Sequence, residues 1–309
     1  MKPHVRVFIT VVSIAWLVSG PAPSEAARRL RVVATLPTYA DLARTIGGDH
    51  VEVASVASPK FNPHFIEPKP SDVLRVKRAE LFIHSGLDLE AWRGPLLDAA
   101  GNRAIMPGGS AELDLSRGIA LLEVPNHPVS RSEGDIHLYG NPHYWTSPEN
   151  GKIIAQAICD KLSAMNPQAA ADFHRNLQTF LDQLNRKESE WRALATPYRG
   201  REVVGYHNEW PYLMEFLGLQ MKEYLEPRPG IPPTPKQVEF IEAYIKDNRI
   251  RVIVQPTYYP GRTTDAVAQR TGARAVTICQ SVQELPACTD YVASLDYDIR
   301  QIVEALKGG

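Results

Sequence analysis

The stretch PQAAADFHRNLQTFLDQLNRKESEWRALA, residues 167–195, decides the architecture of this 309-residue chain. After its opening proline it carries no turn signal. Its apolar residues Phe173, Leu177, Phe180, Leu181, Leu184, Trp191 and Leu194 recur mainly at spacings of three, four and seven. That is the pattern of one amphipathic helix face. At a rise of 1.5 Å per residue the helix is about 40 Å long. Such a segment is a stiff connector, unlike a glycine-rich linker.

Four candidate strands precede it, at 30–35, 51–55, 80–84 and 103–106, and four follow, at 202–206, 219–224, 251–255 and 274–278. Most are short β-branched or apolar runs, as buried parallel strands require. Helical signals lie between them. The pattern at 39–46 stops at Gly47-Gly48. Ser147 reads as a cap before Pro148, and Thr234-Pro235-Lys236-Gln237 as a capping box. Strand–helix alternation predicts an α/β fold. The expected form is two lobes, each with a four-stranded parallel sheet, joined by one long rigid helix. The amino-terminal lobe covers 27–166, the connector 167–198 and the carboxy-terminal lobe 199–309. Residues 122–138 are polar and turn-rich and read as a surface loop.

Residues 1–26 read as a cleaved export signal. Lys2, His4 and Arg6 form a basic head, residues 7–18 an apolar run too short to span a bilayer, and Ser24-Glu25-Ala26 a cut site ahead of Ala27. No cysteine lies near that cut, which argues against lipid attachment. The chain holds 34 basic and 35 acidic residues; without Lys2, Arg6 and Glu25 the balance is 32 to 34. Such a balance offers no positive field for nucleic acid. Of the three cysteines, Cys159 lies in an apolar helical pattern and reads as a buried small hydrophobe. Cys279 and Cys288 are nine apart, so a disulfide between them is open in an oxidising compartment.

Three histidines carry the chemistry. His64 sits in Phe61-Asn62-Pro63-His64-Phe65, His143 in Gly140-Asn141-Pro142-His143-Tyr144-Trp145, and His207 follows a predicted strand in Tyr206-His207-Asn208. Imidazole is the commonest neutral zinc ligand, and three leave a fourth tetrahedral position. Their wide spacing requires distant loops to meet, at the carboxyl ends of strands where two lobes face each other. The fourth donor should come from the end of another strand, where Gln280 and Cys279 are the candidates. His137 is a candidate auxiliary contact. His4, His50, His127 and His174 have no comparable setting, and His84 reads as packed beside the cleft. Glu67 and Glu209 adjoin the histidines in sequence and read as outer hydrogen-bond partners or surface charges.

The segments Asn62-Pro63-His64 through Glu67-Pro68-Lys69-Pro70-Ser71-Asp72, Asn141-Pro142-His143-Tyr144-Trp145, Tyr206-His207 and Pro229-Gly230-Ile231-Pro232-Pro233-Thr234-Pro235 resemble the zinc- and manganese-binding solute receptors of ABC importers. The resemblance covers the chain beyond residue 26, including a closing helix at 290–306. It implies two lobes, a connecting helix, a metal buried between the lobes and a membrane permease as partner. His64, His143 and His207 fall on the family's ligand positions. Histidine at the third position goes with zinc, whereas carboxylate there suits harder Mn²⁺. This chain departs from the family in two ways. Gln280 stands where an aspartate or glutamate is usual, and the loop before His143 is short, with only His127 and His137.

The expected function is therefore a periplasmic, monomeric solute-binding protein, not an enzyme, that captures Zn²⁺ in preference to Mn²⁺ and delivers it to an importer. A secreted zinc hydrolase using Glu67 or Glu209 as base, and a surface adhesin with a structural metal, are the competing readings.

Overall fold

The computed structural model describes residues 28–126, 137–226 and 230–308. The expected export signal, His127 and the start of the proline-rich run at 227–229 lie outside the described residues. The amino-terminal sheet holds β1 (Leu30–Ala34), β2 (Val51–Ser55), β3 (Leu81–His84) and β4 (Glu112–Asp114), in the order β2-β1-β3-β4. The second sheet holds β5 (Glu202–Gly205), β6 (Gln220–Tyr224), β7 (Val252–Gln255) and β8 (Arg274–Thr277), in the order β6-β5-β7-β8. Every pairing is parallel. The two sheets thus repeat one order, with the chain reversing direction across β1 in one and β5 in the other. A crevice outside the carboxyl ends of the strands forms at such reversals.

One expected strand is not a strand. Residues 103–106 fold as a 3₁₀ turn, Arg103–Ile105, and the edge strand is β4. Asn102 decides this: its side chain accepts from Ala104 N at 3.2 Å, while its amide reaches Lys77 O and Ala79 O at 3.2 and 2.9 Å. Gly108, at φ 79°, turns the chain so that Ala111 N meets Ala104 O at 2.8 Å. The apolar run buries Ile105 from within a turn.

Helices cover the sheets: α1 (Pro37–Gly47), α2 (Pro70–Lys77), α3 (Arg93–Ala100) and α4 (Pro148–Met165) go with the first lobe. The long helix α5 runs Ala170–Ala195, 26 residues, after a 3₁₀ turn at Pro167–Ala169. Then come α6 (Pro211–Leu217), α7 (Pro235–Asp247), α8 (Gly261–Thr271) and α9 (Tyr291–Lys307). Proline stands at the start of α4 and α7, as expected, but the caps differ. Ser147 makes no side-chain cap bond. Thr234 Oγ1 accepts from Gln237 N at 3.2 Å, while the Gln237 side chain reaches Tyr224 O instead of closing the box.

The connector packs on both lobes. It touches α1 and α4 on one side and α6 and α9 on the other. One continuous core runs from Leu42 and Ile46, through Phe173, Phe180 and Trp191, to Leu217, Leu295 and Ile302. Polar ties fix its length: Asn176 Nδ2 donates to Ile46 O at 3.0 Å and Trp191 Nε1 to Asp296 Oδ1 at 2.9 Å. Burial of this apolar stripe, rather than intrinsic propensity, stabilises so long a helix. Cys159 is buried in α4, and Cys279 and Cys288 form a disulfide across the loop between β8 and α9.

Candidate metal centre

Two of the histidines are presented by the same local device. In Asn62-Pro63-His64 and Asn141-Pro142-His143 the asparagine Oδ1 accepts from the histidine backbone N–H two residues on, at 2.9 and 3.0 Å. Such an Asx turn needs a short side-chain carbonyl, and the intervening proline fixes φ. The first turn is pinned to the lobe by Trp92 Nε1, which donates to Pro63 O at 2.8 Å. The second is closed by Thr146 Oγ1, donating to His143 O at 2.8 Å. His207 comes from the loop after β5, at the point where the strand order reverses.

The structure brings the three rings together. Their centroids lie 5.1 Å apart for His64 and His143, 5.7 Å for His64 and His207, and 5.9 Å for His143 and His207. His64 Nε2 and His143 Nε2 are 3.2 Å apart. A fourth ring joins them: His137 stacks on His64 at 5.1 Å, and ligand atoms of His64, His137 and His143 all lie within 4.8 Å of one another. His64, His143 and His207 are buried.

Three of the rings are held through the nitrogen that does not face the cluster. His207 Nδ1 pairs with Glu226 Oε2 at 2.7 Å. His137 Nδ1 meets Asp88 Oδ1 at 3.1 Å, and Asp88 Oδ2 accepts from Leu138 N at 2.7 Å. His143 Nδ1 meets the Gln280 amide nitrogen at 2.9 Å. Among the described residues, Nε2 of His207 and Nε2 of His137 are buried with no hydrogen-bond partner. A buried unpaired imidazole nitrogen is costly, and two beside a pair of further imidazoles make a ready set of metal donors. Burial holds the His64 and His143 rings well below the usual imidazole range, reinforced by the neighbouring histidines. They are neutral, as ligation demands.

Of the two expected candidates for the fourth position, Cys279 is bound to Cys288 and has no thiolate to offer. The Gln280 amide nitrogen lies against Nδ1 of His143, on the side of the ring away from His64. Its loop is held by Glu284, whose carboxylate accepts from Gln280 N, Ser281 N and Thr257 N at 2.7, 3.0 and 3.0 Å. Sequence reasoning missed Glu226 and Asp88 as orienting partners, while His137, expected as an auxiliary contact, stands beside His64 and His143. A signal for Glu226 was present: an acid two residues past a strand end, just ahead of a proline-rich stretch of sequence.

The sequence pattern of the family described as zinc-uptake complex component A, periplasmic, matches residues 32–305. The chain belongs to this family. Its relatives include the iron-binding protein YfeA of Yersinia pestis, 26% identical over 276 residues, covering 86% of this chain and 83% of that protein. The manganese ABC transporter substrate-binding lipoprotein PsaA of Streptococcus mitis is 25% identical over 286 residues, covering 85% and 89%. A crystal structure of ZnuA superposes with a TM-score of 0.75 at 23% identity, over 89% of this chain and 98% of that one, which supports the two-lobed fold.

The zinc-uptake component family is one of substrate-binding receptors for ABC importers, and the hydrolase reading finds no support. Glu67 is exposed. Glu209 is fully buried and takes the Tyr258 hydroxyl; burial pushes its carboxyl well above the usual range, against that hydrogen bond and helped by Glu284 and Glu226. No helix among the described residues is long and apolar enough to cross a membrane.

Proposed function

We propose that this chain captures Zn²⁺ between its lobes on His64, His143 and His207, with His137 as fourth donor, and delivers it to the membrane permease of an ABC importer. It works as a monomeric receptor without catalytic activity, exported to the periplasm by residues 1–26. The observation that carries the reading is the pair of buried, unpartnered Nε2 atoms of His207 and His137 beside the His64–His143 pair.

The donor set argues for zinc. Relatives carry names that specify iron and manganese, so family membership does not choose the metal. Four imidazoles in one cluster suit a tetrahedral, borderline ion, whereas harder Mn²⁺ favours carboxylate oxygen. The carboxylates Glu226 and Asp88 are spent on imidazole Nδ1 atoms, where they orient the rings and raise their basicity. Gln280 takes the same part for His143. Competition of Zn²⁺ against Mn²⁺ and Fe²⁺ on purified protein tests this. Zinc should displace both, and manganese displacing zinc would refute it.

A further inference from the structure

Glu226 does more than hold His207. Its Oε2 also accepts from the Tyr259 hydroxyl at 3.0 Å, and its Oε1 from Gly230 N at 3.0 Å. The Tyr259 oxygen in turn accepts from Asn62 Nδ2 at 3.3 Å. Asn62 is the residue whose Oδ1 caps the turn presenting His64. A continuous chain of hydrogen bonds therefore runs His207–Glu226–Tyr259–Asn62–His64. It joins the His207 ring of one lobe to the backbone of the turn that presents His64 in the other, without passing through the metal position.

A second contact runs parallel to it. Phe65, next to His64, lies over Gly230, where a Cβ would sit 2.9 Å from Phe65 Cζ. Gly230 has φ 78°, a conformation that favours glycine. Both contacts border a cleft of about 770 Å³ lined by Asn62, Phe65, Glu226, Gly230 and Tyr259 among others. The opposite side of the site is closed differently. There Trp145 Nε1 donates to Gln280 O at 2.9 Å, Val282 N to Thr38 Oγ1 at 3.3 Å, and the Tyr291 hydroxyl to Trp145 O and Ser147 O at 2.8 and 2.9 Å. These donors all come from buried residues. Among the described residues this cleft is thus crossed by one long side-chain hydrogen bond and one aromatic contact, while elsewhere between the lobes Asn208 Nδ2 donates to Glu123 Oε2 at 2.7 Å and Asn141 Nδ2 to Asn208 O at 3.1 Å.

We propose that Glu226, Tyr259 and Asn62 form a cross-lobe latch that sets how fast the metal leaves, with Tyr259 as a positioning residue that never touches the ion. The proposal rests on the metal-receptor reading above. Since Glu226 orients His207 and also accepts the latch hydroxyl, the latch closes best when His207 is fixed by ligation. When the lobes part at the cleft, the Tyr259–Asn62 bond breaks and the turn carrying His64 is released together with it. The Tyr259 ring stacks on Tyr206, 4.1 Å between centroids, so removing the hydroxyl alone leaves the packing in place.

The test is the rate of Zn²⁺ loss to excess chelator from the full chain and from Tyr259→Phe, Asn62→Ala and the double variant, with Co²⁺ absorption as a reporter of the coordination sphere. Tyr259→Phe should raise the dissociation rate about 5–30-fold, the value of one or two hydrogen bonds. Its Co²⁺ spectrum should match that of the unaltered protein. The double variant should release zinc no faster than the faster single variant, because both cut one chain. A Tyr259→Phe rate within about twofold of the original, a changed Co²⁺ spectrum, or single effects that multiply in the double variant would each overturn the latch. Failure of the metal-receptor reading shows separately, as His207→Ala binding zinc as well as the unaltered protein.

Discussion

The Gln280 amide nitrogen stands 2.9 Å from Nδ1 of His143, while Nε2 of the same ring stands 3.2 Å from His64 Nε2. With Nδ1 accepting, neutral His143 carries its proton on Nε2, where it pairs with His64. Metal at Nε2 requires the other tautomer, with Nδ1–H donating. Glutamine can serve both states by turning its amide over, whereas a carboxylate could serve only the second.

That relationship makes Gln280 an orienting residue with a measurable value. Gln280→Ala should weaken zinc binding about 10–100-fold, the usual cost of losing such a partner. His207→Ala should cost more than Gln280→Ala, since it removes a donor outright. Gln280→Glu should tighten binding by fixing the metal-ready tautomer and adding negative charge behind it. Chelator competition at one pH and salt ranks the variants; Gln280→Ala falling as far as His207→Ala would instead make the amide a direct ligand.

The Cys279–Cys288 disulfide closes the loop that carries Gln280, and Gln283 N donates to Cys288 O across it at 2.6 Å. Replacing both cysteines by serine frees that loop. Zinc affinity should then drop towards the Gln280→Ala value, with the fold retained by far-ultraviolet circular dichroism. Unchanged affinity would show that Glu284 alone is enough to hold the loop.

Much of this architecture could be read from the chain. The stripe from Phe173 to Leu194 predicted α5, and seven of the eight expected strands lie within a residue of their positions. The exception, at 103–106, failed because an apolar run of that length also suits a buried turn, and Asn102 supplied the turn chemistry. The three loop histidines were legible from their Asn-Pro and strand-end settings. Their orienting partners were not, because Glu226, Asp88 and Gln280 are separated from the rings they hold by 19, 49 and 137 residues. Only the fold makes those pairs neighbours.

The connector should be the stability hinge of the molecule. Trp191 is fully buried against Phe216, 6.4 Å between centroids, and its N–H binds Asp296. Trp191→Ala should cost about 3–5 kcal/mol. Denaturant unfolding followed by circular dichroism reads this directly, and a loss below about 1 kcal/mol would mean that the lobes do not depend on the packing of α5.

Asp296 gives a pH signature for the same region. Burial opposes its ionisation, but hydrogen bonds from Arg300, Trp191 and Lys187 and the Arg300 charge outweigh it and hold the carboxyl at about 2, against 3.8 ordinarily. With the folded value below the unfolded one, the unfolded state binds more protons between them. The contribution is complete above about pH 4 and is lost as pH falls towards 2. Asp296→Asn should therefore lower the melting temperature at pH 7 and have a smaller effect near pH 2. An equal effect at both would place the role of Asp296 in packing rather than charge.

The most direct test of the central claim is zinc-edge X-ray absorption on the zinc-loaded protein. Four nitrogen donors at about 2.0–2.1 Å, with the outer-shell scattering of imidazole rings, are predicted, and His137→Ala should remove one of them. A shell dominated by oxygen, or one with fewer than three imidazoles, would contradict the assignment of His64, His137, His143 and His207 as the site.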